Sequence, residues 1–311
     1  MSWTSNDIPD QSGRVAVVTG ANGGLGLAIA TALAGRGAHV VMAARDQAKA
    51  ATARDRLLAA HPGASVEVVE LDLGSLASVE RAGRQIVAAH PAVDLLVNNA
   101  GVMAMPQRRT ADGFESQLGI NHLGHWALTA HLLPALLRAG AARVVTLTSG
   151  AQHMGRPLDP DDPFLDRRYD PWRAYGNSKL ADRHFAQGLD RQFRAAGVAA
   201  RALTAHPGLT NSDLQSTTVS EGGGGWLGPF FLALTRATGM SVERGALCPL
   251  RAATDPRAEG GTMYGPRWQS TGAPVRRRLI RPGADRAIAT LWTVSRRLTG
   301  LDVDVAQAVA A

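Results

Sequence analysis

Residues 14–36 read RVAVVTGANGGLGLAIATALAGR, and the order of their parts decides the fold. The opening run is rich in valine and lacks polar alternation, the pattern of a strand buried on both faces. It stops at Thr19-Gly20-Ala21-Asn22-Gly23-Gly24-Leu25-Gly26, and an apolar stretch of helical length follows. A glycine-rich turn between a strand and a helix suits a phosphate, because the helix N-terminus offers free N–H groups and a partial positive charge. Gly20 lets the chain turn sharply, Gly24 lets the backbone approach a pyrophosphate, and Gly26 lets the helix pack close to the sheet. An ordinary βα turn looks the same in isolation, so the rest of the chain has to decide.

Working outward, similar strand-like runs recur at 39–44 (HVVMAA), 65–71 (SVEVVEL), 93–97 (VDLLV), 143–148 (RVVTLT) and 198–204 (VAARALT). Segments of helical length alternate with them at 25–36, 46–60, 76–90, 113–137 and 174–196. This alternation predicts an α/β fold: one domain, a doubly wound Rossmann-type parallel sheet with helices on both faces. Two stretches break the rhythm. Residues 155–170 (GRPLDPDDPFLDRRYD) read as a surface insertion, because they lack the turn glycine and closing glutamate of a calcium loop. Gly222–Gly225 followed by WLGPFFLALT reads as a movable substrate lid over 213–240 or as an interfacial patch.

Composition narrows the class. With 45% hydrophobic and 19% charged residues the chain has ample material for a core, which excludes a disordered or fibrous protein. The single cysteine, Cys248, excludes an internal disulfide and fits a reducing compartment. No apolar run reaches the ~18 residues of a membrane helix, and the first dozen residues lack a basic and an apolar leader region, so a cytoplasmic protein is expected. The net charge of +7 does not imply a nucleic-acid partner. Its clusters, Arg276-Arg277-Arg278-Arg281 and Arg167-Arg168, lack interleaved aromatics and read as solvated surface. Of 33 basic residues only Lys49 and Lys179 are lysines, which singles out the amine of each.

One of those lysines lies in Tyr175-Gly176-Asn177-Ser178-Lys179, where the i,i+4 spacing puts phenol and amine on one helix face. A tyrosine serves as acid and base near neutral pH only if its pKa falls well below ~10, and a nearby ammonium favours the phenolate. Asn98-Asn99-Ala100-Gly101 follows the fourth strand, Ser149 the fifth and Pro207-Gly208 the sixth, where a doubly wound sheet lines its ligand crevice. Asn121 lies inside a helical stretch, an awkward place for asparagine unless its side chain has a task. His122 and His125 have no third ligand nearby, so no metal is expected.

In their joint order these motifs resemble the short-chain dehydrogenase/reductase family over residues 12–265, with 275–311 as a C-terminal extension. MAARD, INHLGHWALT, YGNSKLA, HPGLTNSDL and LWTVSRRLTG are similar to its retinol dehydrogenase and protochlorophyllide-reductase-like branch. The resemblance implies a sheet of about seven strands, a nicotinamide cofactor and a catalytic tetrad of Asn121, Ser149, Tyr175 and Lys179. Tyr175 would pass a proton to or from the substrate oxygen, while Lys179 would lower the Tyr175 pKa and hold the nicotinamide ribose. Ser149 would bond the substrate oxygen, and Asn121 would anchor a water relay to Lys179. The turn residues Gly20, Asn22, Gly24, Leu25 and Gly26 would take the pyrophosphate. Asp72 and Leu73 would border the adenine, and Asn99, Ala100 and Gly101 the adenosine ribose. Pro207, Gly208, Leu209, Thr210 and Ser212 would flank the nicotinamide. Ser149 and Tyr175 stand wider apart than the family usually shows, which leaves a homo-oligomer open.

Two finer expectations follow. The second strand ends Ala43-Ala44-Arg45 without the carboxylate that binds a free ribose, and Arg45 suits a 2′-phosphate, so NADP(H) is expected over NAD(H). The lid carries Leu214, Trp226, Leu227, Phe230, Phe231 and Leu232, which favours a small-molecule substrate that is a lipophilic or bulky carbonyl compound or alcohol. The alternative is a catalytically weak NADP(H)-sensing regulatory or scaffold protein. Retention of all four tetrad members speaks for an enzyme.

Overall fold

The computed structural model describes residues 2–211, 218, 222, 239–277 and 282–310. Ser212, Leu214, Gly223–Gly225 and the apolar run Trp226, Leu227, Phe230, Phe231 and Leu232 lie outside those residues, as do Arg278 and Arg281. The valine-rich runs are strands: β1 (Val15–Thr19), β2 (His39–Ala44), β3 (Val66–Glu70), β4 (Leu95–Asn98), β5 (Arg143–Leu147) and β6 (Arg201–Ala205). With β7 (Met263–Pro266) and β8 (Pro274–Arg277) they form one sheet of order β3-β2-β1-β4-β5-β6-β7-β8. Every pair from β3 to β7 is parallel, whereas β8 runs antiparallel to β7 with Met263 opposite Arg277. This edge strand is additional to the parallel strands, and it comes from the C-terminal segment. A short connection is enough for it because antiparallel neighbours need no crossover.

The helices are α1 (Gly24–Ala34), α2 (Gln47–Ala60), α3 (Leu76–Ala89), α4 (Ser116–Leu118), α5 (Gly124–Arg138), α6 (Pro171–Ala195), α7 (Val242–Thr254), α8 (Ala284–Thr299) and α9 (Val305–Ala310). Asp46, Ser75, Asp170 and Ser241 cap α2, α3, α6 and α7 by accepting a backbone N–H in the first turn, which satisfies donors the helix cannot. The segment expected as one helix over 113–137 is instead α4, a π turn at Gly119–Leu123 and then α5.

Side chains alternate along each strand. Val17, Val41, Leu96 and Val144 therefore enter one core with α3, α5, α6 and α8, while Val18, Met42, Val97 and Val145 enter another with α1 and α7. Two buried faces explain why the strands read as apolar runs. The C-terminal residues complete the first core. Trp292 of α8 packs edge-on against Trp126 with ring centroids 5.1 Å apart and lies 5.8 Å from Phe185, a geometry that aromatic quadrupoles favour. Residues 155–170 form no strand or helix, and they are tied down by buried Leu158 and Leu165 and by a bond from Arg297 to the Pro160 carbonyl.

Candidate active site

The strand order reverses at β1, whose neighbours β2 and β4 lead away in opposite directions. Connections after these strands leave on opposite faces, so the carboxyl ends part and a crevice opens. A cleft of about 450 Å³ lies there.

Gly20, Asn22, Gly24, Leu25 and Gly26 form one wall of the cleft. Gly20 has a φ of +67°, in the left-handed region where a side chain is strained. A Cβ on Gly26 would run into the Gly20 carbonyl oxygen and lie 2.6 Å from Asn99 Nδ2. Unlike α2, α3, α6 and α7, helix α1 has no side-chain cap. Its first N–H groups are left to a ligand or to water. Arg45 stands exposed on the rim after β2, and Asp72 and Leu73 border the cleft after β3. The Asp72 carboxylate accepts from Gly74 N at 2.9 Å, which shapes that turn. Asn99, Ala100 and Gly101 follow β4, with Asn99 Nδ2 donating to the Thr19 carbonyl at 2.8 Å. Pro207, Gly208 and Thr210 close the far end. Leu209 does not line the cleft, and its backbone is tied to Ser270 and Met240.

Of the four tetrad candidates only Lys179 lines the cleft. Tyr175 lies one helical turn before it on α6, buried with its ring 6.3 Å from that of Trp172. Ser149 lies two residues after β5 and caps a short turn by accepting from Ala151 N at 3.3 Å. Asn121 is fully buried in the π turn. A π turn leaves a carbonyl out of the helical ladder, and His125 Nδ1 donates to the Asn121 carbonyl at 2.8 Å. The Asn121 side chain brackets Val102, accepting from its N–H at 2.8 Å and donating to its carbonyl at 3.0 Å, and also donates to Ser178 Oγ at 2.9 Å. Asn121 therefore clamps the β4 exit to α6. Bare Gly101 keeps the space between them open, since a Cβ there would lie 2.9 Å from Asn121 Oδ1 and 3.5 Å from Lys179 Nζ.

The hydrogen bonds also fix the state of His125. Burial, reinforced by the Lys179 charge, pushes it down to about 3, so it is neutral at pH 7. With Nδ1 donating, Nε2 must accept, and Thr19 Oγ1 donates to it at 2.9 Å. Thr19 Oγ1 in turn accepts from Asn99 N and Ala100 N at 2.9 and 3.0 Å. One chain of hydrogen bonds thus joins the turn, the β4 exit and the π turn.

Lys179 Nζ donates to the Leu147 carbonyl at 3.1 Å and to Asp182 Oδ2 at 2.9 Å. Burial works against the ammonium, but Asp182 and then Tyr175 hold the Lys179 pKa above its ordinary value. Asp182, 1% exposed, is pushed up to about 6 by burial, with the Lys179 ammonium opposing. Its second oxygen, Oδ1, is 3.9 Å from His122 Nδ1, and neither atom has a hydrogen-bond partner. His122 Nε2 pairs with Ser295 Oγ at 2.8 Å. The two histidines thus serve different partners. Thr19 was visible only as the end of the strand and His125 only as half of an unlikely metal pair, while nothing but spacing marked Asp182. The available signals were spacing alone: Asp182 three residues after Lys179 and His125 four after Asn121.

An uncapped helix N-terminus beside a cradle of bare backbone, with a buried cation beyond it, fits a dinucleotide, and the protein is of that binding class. The short chain dehydrogenase profile matches residues 14–222. Retinol dehydrogenase 13 of Homo sapiens is 35% identical over 295 residues, 93% of this chain and 86% of its own length. The structure of an uncharacterised protein from Mycobacterium Paratuberculosis is similar at a TM-score of 0.78 and 40% identity, covering 97% of this chain and 99% of that one. A protein from Beutenbergia cavernae, named as a candidate NAD(P)-dependent gluconate 5-dehydrogenase with NADP bound at low occupancy, is similar at 0.64 and 26% identity, over 82% and 95%. The chain belongs to the short-chain dehydrogenase/reductase family and is an oxidoreductase, of a family that binds a nicotinamide cofactor. No helix among the described residues is long and apolar enough to cross a membrane.

Proposed function

We propose that this oxidoreductase is an NADP(H)-dependent carbonyl reductase or alcohol dehydrogenase of the cytoplasm, with Tyr175 as acid and base and a lipophilic or bulky substrate. The observation that carries the reading is the pair on α6: Tyr175 and Lys179 one turn apart and both buried, with the amine reaching the cleft. A nicotinamide cofactor held in this cleft would supply or take up the hydride at the substrate carbon. Tyr175 moves the accompanying proton at the substrate oxygen, and Ser149 bonds that oxygen. The Lys179 ammonium stabilises negative charge on the phenol oxygen and holds the cofactor ribose. Asp182 anchors the ammonium, and Asn121 positions α6 against the β4 exit. The turn residues Gly20 to Gly26 hold the pyrophosphate, and Arg45 pairs with a 2′-phosphate. Asp46, the acid next to it, supports this choice because its carboxylate is engaged in capping α2 at 2.9 Å from Lys49 N. Met103, Met105 and Ile120 give the cleft an apolar side, and the name of the human relative points to retinol, an apolar alcohol.

The test is NADPH consumption over a chain-length series of ketones and aldehydes, for the wild type and Tyr175→Phe. We expect kcat/KM to rise with apolar size. Tyr175→Phe should lose turnover by about 10²–10⁴ while cofactor affinity stays near normal. Near-normal turnover of Tyr175→Phe, or tight cofactor binding without turnover of any carbonyl, refutes the mechanism.

A further inference from the structure

The end of the sheet away from the cleft carries a second cluster of reactive side chains. β2 starts at His39, and its register with β3 sets Val41 opposite Glu67. Side chains alternate, so His39, Val41 and Glu67 stand on one face. It is the face on which Val79 and Ile86 of α3 share a core with Val41 and Val69. Helix α3 ends at Ala89, and its C-cap residue, His90, comes down over the same edge. Sequence positions far apart thereby meet: His90 Nε2 lies 2.7 Å and His39 Nε2 3.8 Å from Glu67 Oε1, and the two imidazole centroids are 4.7 Å apart.

We propose that His39, Glu67 and His90 form a binding site for a divalent transition-metal ion of the zinc class. One donor atom from each residue lies within 4.8 Å of the others. Around a tetrahedral ion at 2.0–2.2 Å, such donors sit about 3.3 Å apart, a value the His90–Glu67 and His39–Glu67 separations bracket. Small side-chain rotations close the difference.

His90 and Glu67 are in hydrogen-bond contact, whereas His39 Nε2, at 3.8 Å, stands within ion-pair range of the carboxylate but beyond a hydrogen bond. Its Nδ1 is held by Ser65 Oγ at 2.7 Å, which fixes the ring and turns Nε2 inward. That Nε2 is buried and has no hydrogen-bond partner among the described residues, although buried polar atoms are nearly always met. A hydrogen-bond partner on the far nitrogen fixes the orientation of a metal-binding imidazole, the part carboxylates, backbone carbonyls and waters play in established sites and Ser65 Oγ plays here. Two imidazoles and one carboxylate make a zinc-type set, with the fourth position left to water.

The ion would tie β2, β3 and the end of α3 together, so its effect is on stability. β2 is 6 residues long and separates this end from the cleft rim, roughly 16–20 Å at the rise of a strand. Neither measurement below depends on turnover, so the proposal stands or falls apart from the proposed function.

The experiment uses the full chain, free of any histidine tag and stripped of metal with a chelator. Zn²⁺ is titrated calorimetrically, and Co²⁺ is followed by its visible absorption. We expect one ion per chain at micromolar affinity or tighter, the intense bands of four-coordinate cobalt, and a Tm that climbs with free Zn²⁺ by mass action. His39→Gln and His90→Gln should each weaken binding about tenfold or more, whereas His61→Gln, at the end of α2, should leave it unchanged. Glu67→Gln keeps the side-chain shape and decides the matter if a histidine variant melts early without metal. Affinity no better than millimolar, or tight binding that survives all three ligand substitutions, overturns the site.

Discussion

Around the β1–α1 turn the protein shapes its cleft by leaving side chains out, whereas between α5 and α6 it does so by burying ionisable ones. Gly20 and Gly26 make room for backbone to approach, and α1 goes without a side-chain cap. His122, His125, Lys179 and Asp182 fill the second region beside the neutral amide of Asn121, each at most 6% exposed. The first region needs open donors and responds to added volume. The second needs groups kept dry in one protonation state and responds to protons. Family membership alone does not make this division, and each half can be broken separately.

The largest effect should come from acid, acting on the buried groups. Near pH 5 an unfolded chain holds a proton on most histidines, whose ordinary value is about 6.5. The folded chain leaves His122, His125 and His206 neutral, because burial pushes them to about 3, about 3 and about 4. Their contribution is complete above pH ~6.5 and is lost as pH falls toward their folded values. Asp182 acts in the opposite sense: its folded value is raised to about 6, so its contribution is greatest below the ordinary carboxylate range and fades as pH rises through that value. Three protons against one leave a net of about two, so stability falls by roughly 3 kcal/mol per pH unit of acidification near pH 5. Denaturant melts from pH 7 to 4 check this. Asp182→Asn should steepen the dependence by about one proton, and a flat profile would mean that the second region is wetter than its geometry implies.

The next effect probes the first region by adding a single carbon. Gly26→Ala places a Cβ against the Gly20 carbonyl and beside Asn99 Nδ2. Neither neighbour is the loose end of a flexible side chain, so the helix has to shift. Overpacking of this kind costs about 1–3 kcal/mol. It should also weaken NADPH binding, because the displaced N–H groups are those that meet the pyrophosphate. A thermal melt and a fluorescence titration read the two consequences. An unchanged affinity would mean that the turn is not where the cofactor is held.

The same contrast explains what could be read from the chain. A valine run that lacks alternation has one physical reading when glycines and helical segments bound it, so β1 to β6, the turn and the YGNSK helix face were legible, whereas β7 was not. The break at Asn121 was visible only as an awkward asparagine. Choosing a π turn over a regular helix depends on whether partners wait for the freed carbonyl, and here His125 meets it. β8 has four residues, two of them arginine, and carries no strand signal; its pairing with β7 creates it. Asp182 carries no sequence signal beyond its spacing, because its weight comes from α6 being buried along most of its length. Local pattern reveals elements, whereas burial by distant parts decides which polar groups matter.

The smallest expected effect tests the rim, where neither volume nor burial operates. Arg45 is exposed at the cleft edge, so its pairing with a 2′-phosphate would be made in high dielectric and screened by salt. Exposed pairs are individually weak, yet a guanidinium matches phosphate oxygens in pairs. Arg45→Ala should therefore lower kcat/KM for NADPH by about three- to tenfold, near the upper limit for an exposed ion pair. NADH has no phosphate there and should be nearly unaffected, so the preference narrows without activity being lost. The loss should shrink as salt is added, which separates a phosphate contact from a change in the shape of the turn. An equal fall for both cofactors would assign Arg45 to the architecture of the β2–α2 turn. No fall for either would leave it as one more solvated arginine in a chain that has 31 of them.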